Sequence, residues 1–280
     1  MAELRPKVSI MMKNFSILIA GKAGDGIDKS SLIISDIMSQ LGYRIYIYRD
    51  YPSIIRGGHT FSIIRCAENK LASHVNTIDV FLALNQESID LHKSRMAPKS
   101  LIIYDSISVK SDKGMGIPVG EIIKQEKAPD VIRNSCLIGA MCKAIGIEKE
   151  ILEKIFRGNI SKETDLNLKV AFRGYDEAKE FIKIEKLEQK ALPVISGAEA
   201  IGQGLIRAGL KTYISYPMTP SSGILHFLAN VAEDFSLKVI HPENEIAVML
   251  MAAGFSYAGK RAAVGTSGGG FCLMTEGLSF

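Results

Sequence analysis

The sequence predicts an α/β fold in two units, each a mainly parallel sheet covered by helices, and three observations carry that prediction. Its 280 residues exceed the ~100–200 residues usual for one domain. Short apolar, β-rich runs alternate with stretches of helical spacing, the pattern of layered α/β folds. That alternation breaks off in a charged run at 176–190 (DEAKEFIKIEKLEQK) and restarts at 191. The expected domains are therefore 1–190, with the charged run as linker, and 191–280.

In the first unit, residues 16–20 (SILIA) form an apolar run that stops at Gly21, as a buried strand does. The turn GKAGDGI (21–27) follows, then a helix over about 28–41. There Ile34, Ile37, Met38 and Leu41 repeat at i, i+3, i+4 and i+7, and Gly42 supplies the stop. Residues 44–49 (RIYIYR), 61–65 (FSIIR), 79–84 and 100–104 (SLIIY) read as strands, while 134–145, 149–156 and 175–184 have helical spacing. The charged run reads as the solvated face of a helix.

The second unit repeats the alternation more cleanly. A helix rich in small residues (197–209, GAEAIGQGLIRAG) leads to a strand at 212–215 and the turn YPMTPSS (216–222), where Ser221 or Ser222 is placed to cap the next helix. A strand at 237–241 precedes PENE and a helix with Ile246, Met249, Leu250 and Ala253 on one face. The third strand, 261–266, runs into SGGG (267–270) and a further helix. Three parallel strands fall short of the ~5–6 of an ordinary covered sheet, and the closing TEGLSF lacks helix-stop signals. The sequence thus reads as the front part of something longer.

Composition excludes several classes. Trp is absent, aromatics reach 7%, and 34 basic against 30 acidic residues are spread without blocks, which argues against a nucleic-acid platform. No run of ~18 apolar residues spans a membrane, and Lys13 interrupts the only signal-like stretch. Cys66, Cys136, Cys142 and Cys272 show no CxxC; they read as buried thiols of a reducing, cytoplasmic compartment, not as the grouped ligands of an iron–sulfur cluster. His74, His92 and His226 stand singly.

Five segments could carry chemistry. GKAGDGI sits at a strand-to-helix turn but matches neither GxxxxGK[ST] nor GxGxxG; a tight packing turn and an anion cradle both remain open. RGGH (56–59) offers Arg56 to an anion, or simply turns a hairpin. YPMTPSS stiffens a strand end with Pro217 and Pro220 and holds the Thr219 hydroxyl at the carboxyl edge of the sheet, where α/β ligands bind. HPENE places Glu243 and Glu245 at the next strand end, where a helix dipole also favours them. GTSGGG gives the third strand end a backbone that a ligand can touch. Thr, Glu and Gly–Ser loops on three successive strand ends converge on one edge, which defines a site.

Together, GAEAIGQGLIRAG, YPMTPSS, ENEIAVMLMAAGFSYAGKRA and GTSGGGFCLMTEG resemble the pyrimidine-binding domain of the α subunit of 2-oxoacid:ferredoxin oxidoreductases. GKAGDGI, YPSIIRGGHTFSIIR and DVFLALNQES are similar to the γ part of the same family. The resemblance implies a γ-type α/β domain followed by the first part of a doubly wound, thiamine-diphosphate pyrimidine-binding domain, with family activity most often on 2-oxoglutarate or a broad range of 2-oxoacids. It implies thiamine diphosphate shared with a partner β subunit that carries the diphosphate site, Mg²⁺ and a [4Fe–4S] cluster, with CoA as co-substrate and ferredoxin as electron acceptor. Glu245 matches the glutamate beside the aminopyrimidine, with Glu243 second. By protonating a ring nitrogen, that acid favours the imino tautomer that forms the thiazolium ylid. Thr219 matches the threonine that contacts the substrate carboxylate; Ser221 continues that motif, and Ser267 and Gly268 match a loop lining the cofactor pocket. The loop reads SGGG where the family more often has SGPG, and the family's arginine segment would lie beyond Phe280. The isolated chain is expected to be inactive. The alternative reading is a non-catalytic nucleotide- or anion-binding protein using GKAGDGI and RGGH.

Overall fold

A computed structural model describes residues 13–50 and 58–280, and the chain divides into two units, Met1–Val194 and Ile195–Phe280. Elements of the first are β1 (Asn14–Lys22), α1 (Ile27–Gln40), β2 (Arg44–Asp50), β3 (His59–Ala67), β4 (Ile78–Ala83), α2 (Gln86–His92), β5 (Met96–Asp105), β6 (Met115–Ile117), α3 (Val119–Gln125), α4 (Arg133–Ala144), α5 (Lys149–Asn159) and α6 (Thr164–Glu177). Six strands join in the order β2-β3-β1-β4-β5-β6. The β1–β4, β4–β5 and β5–β6 pairs are parallel, whereas β3 runs antiparallel to both β1 and β2. The expected α/β class holds, with β3 as the one reversed strand.

Alternation along β1 sets the two faces, because successive side chains of a strand point opposite ways. Ile17 and Ile19 join a core with Ile34 and Ile37 of α1, Leu137 and Met141 of α4, and Phe156 of α5. Leu18 and Ala20 pack on the other side with Phe61, Ile63 and Phe81, beneath Ile89 of α2. Helices α4 and α6 meet backbone to backbone through two glycines. A Cβ on Gly139 would overlap the Ala171 carbonyl oxygen, and one on Gly174 the Cys136 carbonyl oxygen. Cys66, Cys136 and Cys142 are buried and Cys272 is exposed; burial pushes the Cys136 thiol up to about 12 and the other two buried thiols upward as well.

The segment 175–184 departs from the expected helix. Helix α6 ends at Glu177, and residues 178–187 carry no regular secondary structure. Ile182 and Ile184 are buried between exposed Lys183 and Glu185, a period of two that suits an extended chain and not a helix. The strap is pinned by Phe181 N–H and Ile182 N–H to the Ala144 carbonyl, Ile184 N–H to Ile145, and Leu187 N–H to Leu41 (2.8–3.0 Å). It presses on Gly42, which has φ 90° and whose Cβ would lie 2.8 Å from the Leu187 carbonyl oxygen.

The second unit comprises α7 (Gly197–Arg207), β7 (Thr212–Ser215), α8 (Ser222–Asn230), β8 (Lys238–Ile240), α9 (Glu245–Tyr257), β9 (Ala262–Gly265) and α10 (Gly268–Met274). Ser196 and Glu199 form a capping box at the start of α7. The sheet has the order β8-β7-β9, all parallel. On β7, Tyr213 faces α8 through Leu225 and Leu228, while Ile214 faces α9 through Val248 and Ala252. Helices therefore cover both faces, the doubly wound arrangement. The apolar side chains of Leu250, Met251, Phe271, Leu273 and Phe280 stay exposed, Phe280 at 95%.

Candidate active site

Because β7, β8 and β9 are parallel, the loops that follow them leave the sheet at the same edge, with the switch in winding direction at the central strand β7. Ser215 Oγ ties two of these ends together by donating to the Gly265 carbonyl (2.7 Å). Residue 265 has to be glycine here, since a Cβ would run into the Tyr213 hydroxyl.

Glu245 opens α9. Its place is fixed by Asn244, an extended N-cap whose Oδ1 accepts the Ala247 N–H (2.9 Å). Glu245 is 5% exposed, and no hydrogen bond or ion pair reaches its carboxyl among the described residues. The positive end of α9 favours a carboxylate there, and the carboxyl oxygens are not among the fully buried unpaired atoms of the described residues, so they still reach solvent at the strand ends. Glu243 lies outside the helix and is exposed, which separates the two acids that the sequence placed together.

The β7 loop carries Thr219, exposed and joined to Pro220 by a cis peptide bond. Ser221 stands at the N-cap of α8 without making the expected cap; its hydroxyl donates back to the Met218 carbonyl (2.8 Å), and Ser222 N–H bonds the same carbonyl (3.0 Å). Neither serine hydroxyl caps the helix, because the turn is tight enough to use Met218 instead.

After β9, Ser267 holds the N-cap position of α10 with no side-chain cap, and its carbonyl accepts Phe271 N–H (2.8 Å). A Cβ at Gly268 or Gly269 would meet nothing within 4 Å, so the loop is open and lined by backbone. Gly270 is the opposite case: its Cβ would overlap Thr266 Oγ1 and Glu245 Oε1. Thr266 Oγ1 is itself buried with no hydrogen-bond partner. Sequence reasoning found Glu245 and the glycine loop but missed Asn244 and Thr266. The spacing of Asn before the helical run could have signalled the first; nothing local signals the second.

The first-unit motifs resolve differently. Asp25 closes its own turn, its Oδ2 accepting Lys22 N–H (2.8 Å), while Asn134 Nδ2 donates to the Asp25 carbonyl and to Ser30 Oγ. Arg56 and Gly57 of RGGH lie outside the described residues. His59 meets His92, Nε2 to Nε2, at 2.8 Å; His92, read from sequence as standing alone, is paired and 3% exposed, and burial lowers it to about 4. No helix among the described residues is long and apolar enough to cross a membrane.

The second unit is thus an α/β domain of the doubly wound class with a candidate site at its parallel strand ends, where Glu245 borders the glycine loop. Comparison with known proteins sharpens this. Residues 16–177 match the model of the pyruvate ferredoxin/flavodoxin oxidoreductase family, and residues 203–280 match the model of its thiamine diphosphate-binding region. The chain belongs to the pyruvate ferredoxin/flavodoxin oxidoreductase family. It is 25% identical to the 2-oxoacid:ferredoxin oxidoreductase subunit alpha of Saccharolobus solfataricus, over 95% of this chain and 52% of that one. In Archaeoglobus fulgidus it resembles two subunits of 2-oxoglutarate synthase. KorA is 42% identical over 32% of this chain and 26% of its own length, and KorC is 23% identical over 66% and 99%. The 2-oxoglutarate:ferredoxin oxidoreductase from Magnetococcus marinus, solved with 2-oxoglutarate, coenzyme A and succinyl-CoA bound, superposes with a TM-score of 0.83 at 27% identity, over 94% of this chain and 49% of that one. The chain thus spans about half the length of the curated 2-oxoacid:ferredoxin oxidoreductase α subunits it matches.

Proposed function

We propose that the chain is the joined γ- and α-type part of a 2-oxoacid:ferredoxin oxidoreductase that converts a 2-oxoacid, CoA and oxidised ferredoxin to acyl-CoA, CO₂ and reduced ferredoxin, with 2-oxoglutarate as the substrate. Residues 1–190 are the γ-type domain and 191–280 belong to the pyrimidine-binding domain. The observation that carries the reading is Glu245, buried and without a partner at a strand end of the unit that matches the thiamine diphosphate-binding model. The names of the Archaeoglobus and Magnetococcus relatives support 2-oxoglutarate.

The residues fit the aminopyrimidine end of that cofactor. When bound, thiamine diphosphate supplies the carbanion-stabilising chemistry of decarboxylation. Glu245 would hold a proton against a ring nitrogen. Gly270 leaves room for its carboxyl by having no side chain, and Ser267 and Gly268 would offer backbone to the ring. Thr219 is free to donate its hydroxyl to the substrate carboxylate. Ser221 would do so only by releasing Met218, so in this structure it holds the turn. The diphosphate site, Mg²⁺ and the [4Fe–4S] cluster are assigned to a partner β subunit, with ferredoxin as the electron acceptor, which is why this chain alone is expected to be inactive.

The test is 2-oxoacid-dependent viologen reduction without oxygen, on native complex captured through this chain. Reduction that requires CoA and thiamine diphosphate and prefers 2-oxoglutarate to pyruvate is the expected result. Preference for pyruvate would overturn the substrate assignment. A captured complex with an iron–sulfur partner and no reduction would overturn the function.

A further inference from the structure

We propose that Thr266 is a positioning residue for Glu245: its hydroxyl donates to one carboxylate oxygen and thereby fixes the other toward the aminopyrimidine. The inference deepens the reading of Glu245 as the ring acid and rests on it.

Two unpartnered groups are each missing the complement that the other supplies, and one of them, the Thr266 hydroxyl, is fully buried. Thr266 Oγ1 is buried and has no partner, and Glu245, a 5% exposed residue of the same unit, makes no hydrogen bond or ion pair through its carboxyl among the described residues. Both oxygens border the single point where Gly270 lacks a Cβ, so no side chain separates them. A hydroxyl carries one donor, and an ionised carboxyl accepts through both oxygens. The pairing therefore satisfies both groups and leaves one Glu245 oxygen for a ligand. A carboxyl at the first position of a helix has a rotatable side chain, and Asn244 fixes only its backbone. A second-contact hydrogen bond is what holds such a group in the productive geometry.

The experiment is calorimetric titration of thiamine diphosphate with Mg²⁺ into the cofactor-stripped complex, which reads binding without turnover. Thr266→Val keeps the shape and removes the donor; Thr266→Ser keeps the donor. Thr266→Val should weaken binding about tenfold or more, the size of a hydrogen bond to a charged group, and Thr266→Ser should restore most of it. In a Glu245→Ala background, Thr266→Val should change the dissociation constant less than about twofold, as expected when one residue acts through the other. Wild-type binding by Thr266→Val, failure of Ser to rescue, or an undiminished loss in the Glu245→Ala background would each overturn the proposal. If Glu245→Ala leaves no measurable binding, the contrast between Val and Ser decides. Wild-type binding by Glu245→Ala would overturn the assignment of Glu245 itself, and Thr266 with it. Loss in Glu245→Ala with none in Thr266→Val would overturn Thr266 alone.

Discussion

Replacing Gly139 by alanine should destabilise the first unit, although alanine is the better helix former. The added Cβ would overlap the Ala171 carbonyl oxygen and lie 2.7 Å from its carbonyl carbon and 3.0 Å from its Cα, where ordinary contact begins at 3.4 Å. The obstacle is backbone, so no rotamer change relieves it, and α4 can retreat only by lifting Leu137, Ile138 and Met141 out of a core in which each is at most 1% exposed. Overpacking of this kind costs about 3 kcal/mol at its upper range, and helix propensity returns about 1 kcal/mol. The net loss is about 2 kcal/mol, or roughly 4–8 °C in Tm for a unit of this size. Gly158, exposed in α5 with nothing within 4 Å of a Cβ, supplies the control: Gly158→Ala should stabilise by about 0.5–1 kcal/mol. Urea denaturation followed by far-UV circular dichroism measures both. If the two variants shift stability in the same direction, or Gly139→Ala stays within about 0.5 kcal/mol of wild type, the backbone contact between α4 and α6 does not control this packing.

Glu245→Gln in the assembled complex should lower kcat by about 10²–10⁴ with little effect on thermal stability, measured by viologen reduction beside calorimetry. Asp105 is 2% exposed and accepts from Arg133 Nη2 (2.6 Å), Ser108 Oγ (2.7 Å) and Ile107 N–H (3.1 Å); Asp105→Ala should cost about 2–3 kcal/mol in denaturant titration, since three donors lose their acceptor. His92 resists protonation down to about 4 when folded, against an ordinary 6.5. The unfolded chain therefore binds the extra proton first, and stability should fall as pH drops from about 6.5 towards 4, by up to about 3 kcal/mol. His92→Phe should flatten that part of the pH profile, and an unchanged slope would show that the pair with His59 does not control it.

The architecture was largely legible because each strand of the second unit ends in an unmistakable turn: YPMTPSS, PENE, SGGG. Direction was not, since alternation fixes which side chains face the core but says nothing of whether β3 runs with or against β1. Residues 175–184 deceived for a physical reason: Tyr175, Ala178 and Ile182 fit helical spacing, yet Ile182 and Ile184 also fit a period of two, and only the carbonyls of Ala144 and Ile145 decide between them. In the site, Glu245 could be read as an acid at a helix start. That it is buried, that Glu243 is not, and that Thr266 faces it without a partner are properties of the packed chain. The meeting of His59 with His92 has no trace in spacing.

The distribution of thiols makes the chain its own reporter. Three cysteines lie sealed in the first unit and the fourth is open in the second, so a maleimide should react with one equivalent in the native protein and four after denaturation. Since Cys66, Cys136 and Cys142 can react only when their core opens, the slow phase of labelling would time the breathing of the first unit alone, while Cys272 gives the second unit a place for a fluorescent probe without any engineered substitution.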